Sequence, residues 1–289
     1  MSAEAEGRAT AERFREEQNL GVQPLGDLVA IIEQATGIDV AVLEADQDQH
    51  GLMMRDPRRD AVFIGVARTR NPMRQRSTLA HELGHVLFTD VTGGSAGAWS
   101  HRSPEEIRAD AFARHLLVPV EGLREFLGGR GPLTQSDLSE VVQRFLVSPK
   151  IAVIALCRAG HIDEATKQEW LPLTTPRLAT RFGWSDQYRA LQDESARRRA
   201  PQRLLARAIS AYAEGVLSVQ AIATLRGITR QEAEAELREA GVVPRERPVA
   251  WADPDELPDV DVDLAALDEA LAEPGHGSRP VDVTARENG

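Results

Sequence analysis

The chain has a single cysteine, Cys157, among 289 residues. One thiol can neither close a disulfide within the chain nor build a cysteine-based zinc site, so a tightly held metal has to be bound through His, Asp or Glu. Positive charge is also short. Lys and Arg number 34 against 45 Asp and Glu, a formal net charge of −11, which argues against a whole-protein nucleic-acid scaffold and leaves only a local basic patch open. No apolar run approaches the length of a membrane span, and Met1 to Glu17 is charged and polar with no apolar signal core, so the expectation is a cytoplasmic protein with no membrane association. What is present, 42% hydrophobic residues over 289 positions, suffices for a real core in one or two domains.

The most informative stretch is Ser77-Thr-Leu-Ala-His81-Glu82-Leu-Gly84-His85-Val-Leu-Phe88. At about 100° per residue, His81 and His85 fall ~40° apart on one helical face, and Leu79, Leu83, Val86 and Leu87 gather on the other. One face suits burial and the other suits a metal. Two imidazoles one turn apart, with a glutamate directly after the first, form the HExxH arrangement: the histidines bind Zn2+ and Glu82 activates water. Ser77 reads as the helix cap, and Gly84 leaves room for close approach of a strand or ligand.

A catalytic zinc takes three protein ligands and keeps one position open. A second helix is punctuated by Ser103 as N-cap, Pro104 at its first position and Pro119 beyond its end. Its Glu106, 21 residues after His85, is the natural third ligand, and Asp110, one turn on, can fix the tautomer of a ligand histidine. A competing reading stays open here: Ser103-Pro-Glu-Glu106 is also a capping box, in which Glu106 would bond the backbone of Ser103. Glu105 is the fallback ligand. His115 falls on the far side of this helix and reads as structural. His101, followed by Arg102 in the Gly/Ser-rich segment between the motifs, is the candidate oxyanion donor beside Glu82, set against a solvated loop histidine.

Taken with Glu106-Ile-Arg-Ala-Asp110-Ala-Phe112-Ala-Arg-His-Leu116-Leu-Val-Pro119, the HELGH segment resembles the ImmA/IrrE family of zinc metallopeptidases, over roughly residues 25 to 160. The resemblance implies that His81, His85 and Glu106 bind Zn2+, that Glu82 is the catalytic base and that Asp110 supports a ligand. It also implies a protein substrate, typically a helix-turn-helix repressor or antitoxin encoded nearby. Many relatives carry glutamate where Arg108 stands and asparagine where Asp110 stands.

The fold expectation is α+β. A frayed, flexible segment (1–20), with a short helix over Ala11 to Glu17, precedes a zincin-type peptidase domain (21–130) with a first helix at Leu25–Ala35, stopped by Gly37. A small antiparallel sheet follows from Ile38–Leu43, Gly51–Arg55 and Ala61–Val66. The last of these is the candidate edge for a substrate strand. Residues 131–165 have helix-turn-helix phasing, but the apolar helix Pro149 to Ala159 reads as packing against the peptidase core rather than reading a groove. Residues 166–243 form a helical module: an irregular connector with one helix over 170–199, then three helices at 204–212, 219–225 and 230–240. The last carries Glu232, Glu234, Glu236 and Glu239, which repel phosphate. The Arg197 to Arg207 stretch is the one contact suited to an anionic partner. Residues 244–289, rich in Pro and Asp, read as an acidic disordered tail. Direct DNA binding by a transcriptional regulator, and stoichiometric binding within a toxin–antitoxin pair, stand as alternatives to cleavage.

Overall fold

The computed structural model describes residues 2–45, 51–56, 61–89 and 103–245. The expected acidic tail lies, apart from its first two residues, outside the described residues. The α+β expectation holds: one three-stranded sheet and a predominantly helical remainder. Among the described residues no helix is long and apolar enough to cross a membrane.

The N-terminal segment differs from its expectation. Ala3–Glu17 is a helix, α1, capped by Ser2. Its stripe is Gly7, Ala11 and Phe14, small and widely set among charges, which is why it reads as frayed. Each of these residues is nevertheless buried, and α1 lies along the helix α4, Pro104–Leu117. The two backbones meet at Gly7, where a Cβ would collide with the Arg108 carbonyl oxygen and stand 2.7 Å from Ala111 Cβ. Phe14 packs edge-on against Phe112 at 6.2 Å. Buried Arg15 donates to the carbonyl oxygens of Leu116 (2.9 Å) and Gly21 (2.6 Å), closing the turn after α1.

Helix α2 (Leu28–Thr36) is capped by Asp27 and ended by left-handed Gly37 at φ 69°. Strands β1 (Asp39–Leu43), β2 (Gly51–Asp56) and β3 (Ala61–Ala67) follow close to their expected positions. Their pairing is mixed, not wholly antiparallel: the order is β1-β3-β2, with β1 parallel to β3 and β2 antiparallel to it. β3 carries no charged residue, so it is the strand that tolerates two neighbours and cover on its inner face, and it takes the centre. The substrate edge expected at Ala61 to Val66 is therefore already paired on both sides. β1 is partly closed by a bridge between Val42 and Arg199, which leaves β2 as the open edge.

Val40, Val42, Ile64 and Val66 turn inward and join the core cluster that holds Leu79 and Leu83 of helix α3, Pro72–Leu87. That helix starts earlier than expected. Asn71 caps it by accepting from Arg74 N at 3.2 Å, Pro72 opens it, and Ser77 sits inside, donating to the Arg74 carbonyl oxygen at 2.9 Å. After α4 come α5 (Val120–Leu127), α6 (Gln135–Phe145) and α7 (Pro149–Arg158). α6 and α7 form the helix-turn-helix pair, with Ala152, Val153 and Leu156 of α7 in the main core.

The following connector holds three short helices joined by turns: α8 (Glu164–Trp170), α9 (Thr175–Arg181) and α10 (Ser185–Ser195). Trp170, Leu178, Trp184 and Tyr188 belong to the same core as the sheet and α3, and Trp184 Nε1 donates to Ser139 Oγ at 2.9 Å. The helical module beginning at 166 in the sequence reading thus divides differently. A second, separate core starts only with α11 (Gln202–Ala213), α12 (Val219–Arg226) and α13 (Arg230–Glu239), built on Ala208, Ile222, Ala223, Ala233 and Leu237.

Two outcomes follow from α1. An exposed helix would gain about 1 kcal/mol from Gly→Ala. At Gly7 the added methyl meets a backbone carbonyl, and overpacking of this kind costs about 1–3 kcal/mol, so Gly7→Ala should lower the melting temperature by a few degrees. A rise on calorimetry would mean that α1 does not lie on α4. The second concerns buried His115, which faces Glu4 at 3.4 Å. Burial, aided by the Arg114 charge, pushes its pKa down from 6.5 to about 4. A base depressed in the folded state contributes stability above pH 6.5 that is lost as pH falls from 6.5 towards 4. Between pH 7 and 5 the wild type should lose up to about 2 kcal/mol more than His115→Gln, measured by urea unfolding. Parallel pH profiles for the two proteins would contradict a buried neutral imidazole.

Candidate metal centre

α3 and α4 cross at Gly84. A Cβ there would stand 3.2 Å from Phe112 Cδ1 and 3.3 Å from Ala109 Cα, so the close approach for which Gly84 leaves room is that of a helix, not of a strand or ligand. Leu79, Ala80 and Leu83 hold the other side of α3 in the core. His81 and His85, one turn apart, consequently face the first two turns of α4.

Three donors converge there. His81 Nε2 lies 3.0 Å from His85 Nε2 and 3.3 Å from Glu106 Oε2, and His85 Nε2 lies 3.4 Å from Glu106 Oε1. Ligand bonds of about 2.0–2.1 Å opening at a tetrahedral angle give donor–donor edges of about 3.3 Å. The His81–His85 separation is close to that edge, each Glu106 oxygen faces one of the two histidines, and one donor atom from each residue lies within 4.8 Å of the others, so the three side chains can share one small divalent ion of the zinc type. Nitrogen and carboxylate donors with no thiolate also suit such an ion.

Asp110 sits behind the first histidine: His81 Nδ1–H donates to Asp110 Oδ1 at 3.1 Å. This bond fixes the tautomer and aims the Nε2 lone pair at the centre. Burial pushes the His81 pKa down, but the hydrogen bonds and charges of Asp110 and Glu106 outweigh it and raise it to about 10. The pocket therefore demands a positive charge at Nε2, which a proton meets when no metal is bound. Glu106 is held below the usual carboxylate range, first by its hydrogen bond from His81.

The capping alternative resolves within the same turn. Ser103 Oγ accepts from Glu106 N at 3.3 Å, while the Glu106 carboxylate is turned onto the histidines and away from Ser103. Glu105, the fallback ligand, instead takes hydrogen bonds from its own amide and the Ser103 hydroxyl.

Glu82 lies beside this group, and burial pushes its carboxyl pKa up, with the Glu106 charge adding to the rise and His81 opposing it. The start of β2 passes over it. A Cβ on Gly51 would come within 2.7 Å of Thr78 Cγ2 and 2.9 Å of Glu82 Cδ. Gly51 was read from the sequence only as the first residue of a strand, and its packing on Glu82 depends on how the sheet meets α3. His101 and Arg102 lie outside the described residues. Arg108 turns away from the centre, with its guanidinium 4.9 Å from the Phe88 ring centroid and its Nη1 3.5 Å from Glu6. His115 is on the far side of α4, as expected.

Residues 34–156 match the family model described as the IrrE N-terminal-like domain, Peptidase_M78. The match takes in the sheet, both helices of the centre and the α6–α7 pair. No curated protein matches the chain.

The crossing gives the centre a sensitivity that its ligands alone do not have. Gly84→Val should leave every donor in place yet spread α3 from α4, weakening zinc binding by about tenfold or more, as loss of a supporting contact does. Competition with a chromogenic chelator, on protein whose circular dichroism is unchanged, reads the difference. Unaltered affinity would show that the convergence does not depend on this contact.

Proposed function

We propose, from the match of residues 34–156 to the IrrE N-terminal-like peptidase model, that the protein is a zinc-dependent endopeptidase of the cytoplasm that removes a regulatory protein by limited cleavage. The observation that carries this reading is the convergence of His81, His85 and Glu106, with one donor atom of each within 4.8 Å of the others and Glu82 alongside. A Zn2+ held there supplies Lewis acidity to water and to the peptide carbonyl.

The residues divide the remaining work. Glu82 takes a proton from the attacking water on a carboxylate oxygen. As the water oxygen bonds to the carbonyl carbon and the C–N bond breaks, Glu82 returns that proton to the leaving nitrogen. Its burial raises its pKa towards the operating pH, which makes it a better proton carrier in both directions. Asp110 keeps His81 in the metal-binding tautomer and disperses the charge that a bound cation brings. The open edge of β2, whose first residue covers Glu82, is where an extended substrate segment would add as a strand.

We infer that the substrate is a helix-turn-helix repressor or antitoxin encoded beside this chain. Direct DNA binding is less well supported. Burial of α7 in the main core removes the face a groove-reading helix needs, and α13 presents Glu234, Glu236 and Glu239 on or beside its exposed surface. The test is incubation of the purified protein with the product of the neighbouring open reading frame, with and without chelator. A discrete fragment should form only when zinc is available. Glu82→Gln should lower the rate by about 10²–10⁴-fold while zinc content, measured by mass spectrometry, stays at one per chain. Cutting at the wild-type rate by this variant would refute the assignment of Glu82.

A further inference from the structure

On the side of α3 away from His81 and His85 lies a cavity of about 370 Å³, bordered by the start of α2, the first half of α3, Val42 of β1, the α6–α7 turn and the end of α10. Its inner wall carries Arg76. Two of this guanidinium's nitrogens donate to backbone, Nη1 to the Gly26 carbonyl oxygen at 2.6 Å and Nη2 to that of Leu25 at 2.7 Å. The remaining Nε is sealed from solvent and meets no acceptor. Asp27 and Glu194 act on it only at a distance. Asp27 is already engaged, by Arg199 at 2.7 Å and by the amide of Ala30, and Glu194 is exposed. Desolvation pulls the Arg76 pKa down to about 10, so the group remains charged at neutral pH. Buried charges are ordinarily paired. Among the described residues no carboxylate contacts this guanidinium, and Arg76 lines the cavity.

The rest of the lining says what kind of counter-ion fits. Leu28, Leu79, Leu146 and Leu191 supply apolar walls, and Arg197, an exposed residue whose side chain makes no hydrogen bond or ion pair among the described residues, stands at the rim. We propose that this cavity binds a small organic anion, one carboxylate or phosphate on an apolar body, with its charge on Arg76 and Arg197 and its body against the leucines. The walls come from separate segments, so an occupant ties α10 to the helix that bears His81 and His85. It needs neither metal nor cleavage, and its test is therefore independent of the peptidase reading.

The full-length chain is titrated with phenyl phosphate and with benzoate, using benzamide as the neutral isostere and inorganic phosphate as the bare ion, and followed by thermal unfolding and calorimetry. One of the two organic anions should bind saturably, about tenfold or more tighter than benzamide, and which one does so distinguishes a phosphate from a carboxylate ligand. Arg197→Ala, at an exposed position, should weaken that binding about fivefold, and Leu191→Trp, which fills the cavity, should abolish it. Three results would overturn the site: benzamide binding as well as the anions, inorganic phosphate alone matching phenyl phosphate, or undiminished binding to Leu191→Trp. The first would mean a merely apolar hole, the second an adventitious ion only, and the third a site elsewhere.

Discussion

The close crossing of α3 on α4 is the constraint on which the rest of the structure depends. Gly84 lets the helices approach to where Ala109 Cα and Phe112 Cδ1 fill the space of a side chain. At that spacing His81, His85 and Glu106 meet, with Asp110 in reach of the His81 ring. A separation larger by one methyl group would leave a carboxylate and two imidazoles on neighbouring helices with nothing to share. The crossing is held from both sides. Leu79 and Leu83 anchor α3 among the inward residues of the sheet, and Phe112 and Leu116 bury α4 in the same core. Behind α4, α1 repeats the device at Gly7. Sheet, α3, α4 and α1 thus form successive layers, and the centre lies between the second and third.

Electrostatics makes the arrangement costly without a cation. Glu82, Glu106 and Asp110 surround two imidazoles in a partly desolvated space, and carboxylates so placed either pair with a positive charge or take up protons. The opposite shifts of His81, raised, and Glu106, lowered, express the first outcome, and the raised Glu82 the second. A structural salt-bridge cluster would pair every carboxylate in turn. In this one, burial holds the Glu82 carboxyl above its usual range, with Glu106 adding to the rise against the pull of His81. The same reasoning explains why Asp110 serves where an asparagine would also accept: the added charge deepens the pull on His81 Nδ1–H without occupying the centre.

The phase of the histidines was legible because it is local: one turn of helix decides it. The Ser103-Pro104 start was legible for the same reason. Glu106 was not fully so, since the same serine and glutamate suit a capping box, and only the position of another helix decides where the carboxylate turns. Strand order was hidden because pairing joins residues far apart in the chain, although the uncharged run of β3 marked it as central. Only the second half of α1, Ala11 to Glu17, was legible, because the buried stripe is made of Gly7, Ala11 and a single aromatic, too little apolar surface to stand out among charges. The connector was read as irregular with one helix, where both α9 and α10 form, because Pro172 and Pro176 suggest an interrupted chain. Pro176 in fact lies in the first turn of α9, where a missing amide costs nothing.

The family match ends at residue 156, but the core it covers does not. Trp170, Leu178, Trp184 and Tyr188 complete that core from the C-terminal side. The chain then crosses back over the start of α3: Gln75 Nε2 donates to the carbonyl oxygens of Ala67 (3.1 Å) and Ser195 (2.9 Å), and Ser195 Oγ donates to that of Thr69 at 2.7 Å. The end of β3, the beginning of α3 and the end of α10 are therefore tied at one point. Arg199 then extends the tie to β1 through its bridge with Val42. A change in how α10 seats is felt first at the end of the helix that bears His81 and His85. The packed unit is thus longer than the stretch that matches the family model, and the last described core, α11 to α13, is separate from it.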